Sequence, residues 1–418
     1  MKVAVIGLGY VGLPLATALA YKGFDVIGVD VVPKKVEMIN KGVPPIEEPK
    51  LPEMLKEVVE KGKLRATTNY DEIRDAYAII IAVPTPVKEG KPDLSYLESA
   101  LREIGKRLKK GQVVIIESTI PPGTTQNFAK RILEEESGLK HGEFYLVHAP
   151  ERLAPGKAMV ELFTVPKLIG GLTKEDVEAA KKVYEKLTSG GVIETSAINA
   201  EMSKLAENTF RDLNIAFANA LALLAEELGA NVWEVIRLAN THPRVNIHLP
   251  GPGVGGPCLT KDPYMLANPM KGLAKELIIT GRKLNEYMPK HFSELIEKLA
   301  KPGSKVALLG LAYKGGVDDI RESPTLKIYE YLKDKYELSV HDPYVKEAPI
   351  PFTKDLKEAV KGASLIAVVT DHPDYKEIDW EEVAKLVKEK VVLDGRNVLD
   401  KERVERAGFE YKALGVGE

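Results

Sequence analysis

Lys2-Val-Ala-Val-Ile-Gly7-Leu-Gly9-Tyr10-Val11-Gly12 opens the chain with a short apolar strand pattern that runs straight into three spaced glycines. The residues that follow read as a helix. Glycine at these three places allows a tight turn, lets backbone approach a pyrophosphate, and permits close packing of helix on sheet. The spacing by itself is a weak signal, but the strand before it and the helix after it supply the required setting. Val26-Ile-Gly-Val-Asp30 then places a carboxylate at the end of a second strand, eighteen residues after Gly12. That is near the offset expected for a group that hydrogen-bonds a ribose hydroxyl. A carboxylate there favours NAD and repels a 2′-phosphate, although Lys34 or Lys35 softens the exclusion. Asp30 also has a plainer reading as a cap or turn residue.

Working outward, short β-branched runs alternate with longer amphipathic segments, the pattern of a parallel-sheet α/β protein. Strands are expected at 3–6, 25–29, 78–83, 113–117, 145–148 and 167–169, with a helix over 174–187. From about 199 to 228 the pattern becomes one long helix, with Met202, Leu205, Phe210, Leu213, Phe217, Leu221, Leu224 and Leu228 at helical spacing. Gly229 is its expected stop. Helical material continues to about 299, and Lys301-Pro-Gly-Ser304 reads as a linker. A second α/β unit follows, with strands at 306–310, 338–341, 364–369 and 391–393. The expected fold is therefore α/β: two Rossmann-like doubly wound domains, 1–195 and 301–418, joined by a central helical domain, 196–300, built on one long helix. In doubly wound sheets ligands sit at the carboxyl ends of strands. The loops Val83-Pro84-Thr85-Pro86 and Glu117-Ser118-Thr119 to Thr124 are thus candidates to line the cofactor, or else ordinary proline turns.

Composition narrows the partners. Lys and Arg number 59 against 61 Asp and Glu, a net charge of −2, so no bulk field draws the chain to nucleic acid or an anionic membrane. The 44% hydrophobic content is that of an ordinary globular protein. No apolar run approaches membrane-spanning length, and the N-terminus lacks signal-peptide organisation, so the expected location is cytoplasmic. A single cysteine rules out an intrachain disulfide and a thiolate metal cluster, and no metal is expected.

That cysteine, Cys258, lies in Gly251-Pro-Gly-Val-Gly-Gly-Pro-Cys-Leu-Thr-Lys-Asp262, a poor setting for a core-filling thiol. Asp262-Pro263 reads as an N-cap followed by proline at the first helical position. A thiol just ahead of a helix N-terminus has its thiolate favoured, which points to a nucleophile rather than a packing residue. On the long helix, Lys204, Asn208 and Arg211/Asp212 form one stripe. A solvated polar face is the plain explanation. Because the helix is apolar around much of its remaining circumference, the stripe is expected instead to be buried and to need partners. A helix apolar on most sides also calls for more than one packing surface, and hence for a homodimer or higher homo-oligomer.

Taken in order, Gly7-x-Gly9-x-x-Gly12, Ser118-Thr119 with Pro121-x-Gly-Thr124, Pro150-Glu151-Arg152, Glu201-Met-x-Lys204-x-x-x-Asn208, Gly255-Gly-x-Cys258-Leu-x-Lys-Asp262, Arg321-Glu-Ser-Pro324 and Asp394-Gly-Arg396 resemble the UDP-glucose/GDP-mannose dehydrogenase family. The resemblance spans nearly the whole chain. The run from Lys204 to Asn219 and Arg244-Val-Asn-Ile-His248 are most similar to its UDP-N-acetyl-D-mannosamine dehydrogenase branch. That branch often carries a different residue where this chain has Lys261, the residue usual in the UDP-glucose enzymes, and a histidine where it has Pro257.

The resemblance implies a twofold oxidation of a UDP-sugar's C6 alcohol to a carboxylate with two NAD, supplying polysaccharide biosynthesis. UDP-glucose, UDP-N-acetylglucosamine or GDP-mannose are the alternative substrates; a sensor that binds without turnover has no need of Cys258, Lys204 and Asp262 together. In this frame Cys258 captures the aldehyde and carries a thioester. Lys204, helped by Asn208, stabilises charge on oxygen. Asp262 is the general base, the helix cap, or both, with Glu151 and Thr119 placing water and substrate. The cofactor is met by the Gly7, Gly9, Tyr10, Val11 and Gly12 turn, by Asp30 and Lys35, by Pro84, Thr85 and Thr119, and by Arg321 from the third domain. The nucleotide sugar is met by Glu151, Arg152, Lys204, Asn208, Arg211 and Gly255, by Tyr313, Lys314 and Arg396, and by Arg244 and His248, which reach sugar hydroxyls in their own or a neighbouring subunit.

Overall fold

In the computed structural model, which describes all 418 residues, the opening strand β1 (Lys2–Ile6) lies inside the first sheet. It is followed by β2 (Asp25–Val29), β3 (Leu64–Thr67), β4 (Ala78–Ile81), the small hairpin β5 (Val87–Lys88) and β6 (Lys91–Pro92), β7 (Val113–Ile116), β8 (Tyr145–His148), β9 (Lys167–Gly171) and β10 (Val192–Ser196). Eight of these form one sheet in the order β10-β9-β8-β7-β4-β1-β2-β3. All neighbours are parallel except β8 and β9. The inner strands are continuous apolar runs because both sheet faces are covered by helices, each face with its own apolar core. The strand order reverses between β1 and β4, the place where such sheets open a crevice for a ligand.

The second sheet contains β11 (Lys305–Leu309), β12 (Glu337–His341), β13 (Leu365–Val368), β14 (Val391–Asp394) and β15 (Glu410–Ala413), all parallel, in the order β12-β11-β13-β14-β15. Gly310 directly follows β11, and its φ of +106° and closeness to Thr370 exclude a side chain. In the first sheet a helix begins at Gly12, directly after the glycine turn. Here thirteen residues, 311–323, intervene before the helix Pro324–Leu332, which Ser323 caps through Oγ to the Thr325 N–H. That excursion carries Tyr313, Lys314 and Arg321.

The chain divides into two compact units, Met1–Glu207 with Tyr264–Pro269, and Asn208–Pro263 with Met270–Glu418. The long helix Ala197–Leu228 runs unbroken through the division and ends, as expected, at Gly229 with φ +73°. Within one copy of the chain some of its apolar residues are left uncovered. Phe210, Phe217 and Leu228 are 63%, 54% and 71% exposed, while Asp212 and Asn219 are fully buried beside Ala216, Ala218, Ala222 and Ala225. On the buried side Gly281 of the neighbouring helix Gly272–Leu299 makes room for Leu213, since a Cβ there would lie 2.6 Å from its Cδ2.

Candidate functional site

In the first unit the glycine turn has the shape a pyrophosphate needs. A Cβ on Gly7 would lie 2.6 Å from the Ala82 carbonyl and one on Gly12 1.7 Å from the Gly7 carbonyl, whereas Gly9 faces open space. No side chain caps the helix that starts at Gly12, so its first N–H groups have no side-chain acceptor. Asp30 is nearly buried; it accepts from the Leu8 N–H (2.9 Å) and the Val32 N–H (2.9 Å), and so holds the turn while standing at the strand end. The sequence-level choice between ribose ligand and turn residue thus dissolves, since each oxygen keeps a second lone pair. Tyr10 is exposed beside the turn, and Lys35 lies half-buried on the helix Pro33–Asn40. These residues fit NAD.

Two loops close the same crevice. Thr85 donates to the Thr119 carbonyl (2.6 Å) and Ser118 to the Val83 carbonyl (2.7 Å), while Pro84 stays exposed. Below them Glu117, 2% exposed, is paired with Lys167 (2.9 Å) and takes a hydrogen bond from the Tyr184 hydroxyl (2.6 Å). Lys167 also donates to the Pro150 carbonyl at 3.4 Å, next to Glu151. From the long helix Glu201 accepts from the Gly123 N–H and from the N–H and hydroxyl of Thr125, fixing the end of the Thr119 loop. The same helix pins the Pro150-Glu151-Arg152 turn through Lys204–Glu151 (3.6 Å) and Arg152–Glu207 (2.7 Å). Lys204 is 6% exposed. Beneath this turn the imidazole of His148 is driven down to about 3, first by burial and further by the positive charges of Lys204 and Lys167.

In the second unit Cys258 lies in a turn over 257–261, where its carbonyl accepts from the N–H of Lys261 (3.2 Å) and Asp262 (2.9 Å). The helix Asp262–Ala267 starts one residue earlier than expected, with Asp262 as its first residue. The carboxylate is fully buried, accepts from Asn208 Nδ2 at 2.7 Å, and pairs with Lys261 Nζ at 3.1 Å. The turn from Cys258 already winds the chain into the helix, with the Asp262 N–H bonded to the Cys258 carbonyl. Lys261, the residue that departs from the amino-sugar pattern, is thus a direct partner of Asp262.

The glycines before Cys258 are forced by close neighbours. A Cβ on Gly255 would meet Tyr313 and the Glu322 carbonyl at 2.7 Å, and one on Gly251 would strike Arg396 at 2.2 Å. Gly256, with φ +91°, lies against the Tyr313 ring. Burial raises the Tyr313 hydroxyl, with Asp319 and Cys258 adding to the rise and the Arg321 and Arg211 charges opposing it, so Arg211, though exposed, is near this ring. Arg321 turns its fork onto Asp319 (2.6 to 3.1 Å). Arg396 donates to the Val369 carbonyl (2.8 Å) and the Gly253 carbonyl (3.3 Å), so two of its donors hold main chain. Lys314 and Arg244 are exposed. The loop around His248 is held to the long helix through Asn214, with the imidazole edge-on to Phe210.

The polar stripe has the partners its burial requires: Glu151 for Lys204, Asp262 for Asn208, and Arg282 with Asn285 for Asp212. Asp212, rather than Arg211, continues the buried line. Sequence reasoning quoted Glu201 only within a motif and gave it no role, and it missed the partners Lys167 and Tyr184 of Glu117 and Arg282 and Asn285 of Asp212. Charged residues inside apolar stretches, as in Leu277-Ile-Ile-Thr-Gly-Arg282, were the signal for them.

Known proteins share this whole layout. The NAD binding domain of the UDP-glucose/GDP-mannose dehydrogenase family matches residues 1–188, its central domain 198–287 and its UDP binding domain 307–401. The UDP-N-acetyl-D-mannosamine dehydrogenase of Pyrococcus horikoshii is 46% identical over the full length of both chains. The solved structure of the Pyrococcus horikoshii UDP-D-ManNAc dehydrogenase superposes with a TM-score of 0.91 at 44% identity, covering 99% of each chain. That of a UDP-glucose dehydrogenase from Pyrobaculum islandicum gives 0.87 at 30% identity, covering 99% of this chain and 98% of the other.

Proposed function

The chain belongs to the UDP-glucose/GDP-mannose dehydrogenase family, and on that premise we propose that this NAD-dependent UDP-sugar dehydrogenase oxidises UDP-N-acetyl-D-mannosamine twice at C6, giving the uronate. One arrangement carries the reading. Cys258 opens the turn whose first helical N–H belongs to Asp262, and the Asp262 carboxylate is held by Asn208, so thiol, base and amide share one short stretch of structure.

When bound, NAD would supply the hydride acceptor for each of the two oxidations, one molecule per oxidation. In the first, the C6 alcohol loses a hydride and a proton and becomes an aldehyde. Lys204, poised against Glu151, stabilises charge on the reacting oxygen, assisted by Asn208 one turn further along the same helix. The Cys258 sulfur then adds to the aldehyde carbon, and its proton goes to the new oxygen, giving a thiohemiacetal. Loss of a second hydride and a proton leaves a thioester. Asp262, the general base, draws a proton from water, which attacks the thioester and releases the acid and the thiol. Glu151 and Thr119 place that water and the sugar.

Gly7, Gly9, Tyr10, Val11 and Gly12 with Asp30, Lys35, Pro84, Thr85 and Arg321 bind NAD. Tyr313, Lys314 and Arg396 meet the UDP moiety, Arg152, Arg211, Gly255 and His248 the sugar. Arg244, on an exposed loop, does so in a neighbouring subunit. The three-part division at 1–195, 196–300 and 301–418 is supported by the match of the three family domains. A homodimer built on the outward aromatics Phe210 and Phe217 is supported by their exposure. No helix is long and apolar enough to cross a membrane. The test is Cys258→Ser, which should stop at the aldehyde or trap an intermediate; unchanged acid formation sinks the mechanism.

A further inference from the structure

A line of buried amides runs from the long helix to the loop that ends in Cys258, and nothing in the reaction as derived uses it. Asp212 lies one residue after Arg211 on the long helix, fully buried, with Arg282 Nε at 3.0 Å from one carboxylate oxygen. Asn285, one turn beyond Arg282 on the helix Gly272–Leu299, donates from Nδ2 to the Asp212 main-chain carbonyl (3.0 Å) and to its Oδ1 (2.8 Å). The Asn285 Oδ1 accepts from Asn219 Nδ2 at 2.8 Å, and the Asn219 Oδ1 accepts from the Gly251 N–H at 3.0 Å. Asn219 is 0% and Asn285 1% exposed.

Both ends of this line are fixed in polarity. The Gly251 N–H can only donate and the Asp212 carbonyl can only accept, so each carboxamide between them has one allowed orientation. Flipping either would put oxygen against oxygen or nitrogen against nitrogen at two places in a buried setting. The loop it reaches is also held at the Gly253 carbonyl by Arg396, at the Gly256 N–H by the Arg321 carbonyl, and at the Gly256 carbonyl by the Thr260 hydroxyl (2.7 Å). A glycine-rich segment without such ties samples many conformations.

We propose that Asn219 and Asn285 are positioning residues for Cys258, fixing the level at which the loop leaves Gly251 and hence where the thiol stands. This deepens the reading of Cys258 as nucleophile and rests on it.

Asn219→Leu and Asn219→Asp separate positioning from stability. Leucine fills the space but leaves the Gly251 N–H without an acceptor. Aspartate keeps the acceptor for Gly251 and, bound to a proton, also keeps a donor toward Asn285 Oδ1, but burying this acidic group lowers the melting temperature more. If the amide line positions the loop, kcat and melting temperature fall in opposite orders. The leucine variant loses kcat by roughly ten- to a hundredfold, the range for misplacing a reacting group by about an ångström, while its KM for NAD holds within about twofold. The aspartate variant keeps most of its kcat. Asn285→Leu combined with Asn219→Leu should cost no more kcat than the worse single change, since both break one line.

Iodoacetamide alkylation adds a readout independent of turnover, because Cys258 is the only thiol. Its rate should change in Asn219→Leu and stay near wild type in Asn219→Asp. Loss of kcat that tracks melting temperature, an additive double variant, or an unchanged alkylation rate in Asn219→Leu overturns the proposal. Failure of the nucleophile reading shows differently, as full acid production by Cys258→Ser in an otherwise unaltered chain.

Discussion

Replacing Lys167 by methionine should loosen the floor of the cofactor crevice by an amount that can be worked out in advance. Glu117 is 2% exposed and has two partners, Lys167 at 2.9 Å and the Tyr184 hydroxyl at 2.6 Å. Taking away the cation while leaving the carboxylate buried costs about 3–5 kcal/mol in comparable pairs. The expected loss is therefore about 3–5 kcal/mol. Adding Glu117→Gln should return most of the stability, because a neutral amide against Tyr184 needs no counter-charge.

Chemical denaturation followed by circular dichroism, with hydrogen exchange read at β7 and β9, measures this. Activity should fall too, since Ser118 and Thr119 follow Glu117 directly and Lys167 also holds the Pro150 carbonyl. A single variant within about 1 kcal/mol of wild type, or a double variant no better than the single, would refute the argument that this pair is a desolvated and mutually dependent unit.

Gly12→Ala should abolish NAD binding in calorimetry, since the new methyl would fall 1.7 Å from the Gly7 carbonyl. His148, held at about 3 in the fold against an ordinary value near 6.5, takes up its proton only on unfolding. Stability should thus decline as pH falls below about 6.5, by about 2 kcal/mol at pH 5, and His148→Phe should flatten that slope in a pH series of melts. Phe217→Glu should shift the chain to monomer in sedimentation if its exposed aromatic stripe pairs with a second copy.

How far the sequence carried the account depends on the kind of residue. The strands with apolar runs, such as Ala78–Ile81 and Val113–Ile116, were readable because burial on both faces leaves no polar alternative. The edge strands Leu64–Thr67, Val192–Ser196 and Glu410–Ala413 were not, since one neighbour and partial exposure permit polar residues. Glycine positions at Gly7, Gly12 and Gly255 declared a crowded backbone, but not what crowds it. Asp262 shows the limit most plainly: Asp-Pro marks the helix start to within one residue, but nothing local says that the carboxylate meets Asn208, fifty-four residues away. Which oxygen meets which amide is decided by contacts far apart in sequence, as between Asn219 and Asn285.

The central claim is tested most directly by counting NADH formed per sugar consumed, with UDP-N-acetyl-D-mannosamine, UDP-N-acetylglucosamine, UDP-glucose and GDP-mannose offered in turn. Two NADH per UDP-N-acetyl-D-mannosamine, with the other three turned over poorly, is the predicted result. One NADH per sugar would contradict the twofold oxidation, and a preference for UDP-glucose would contradict the substrate.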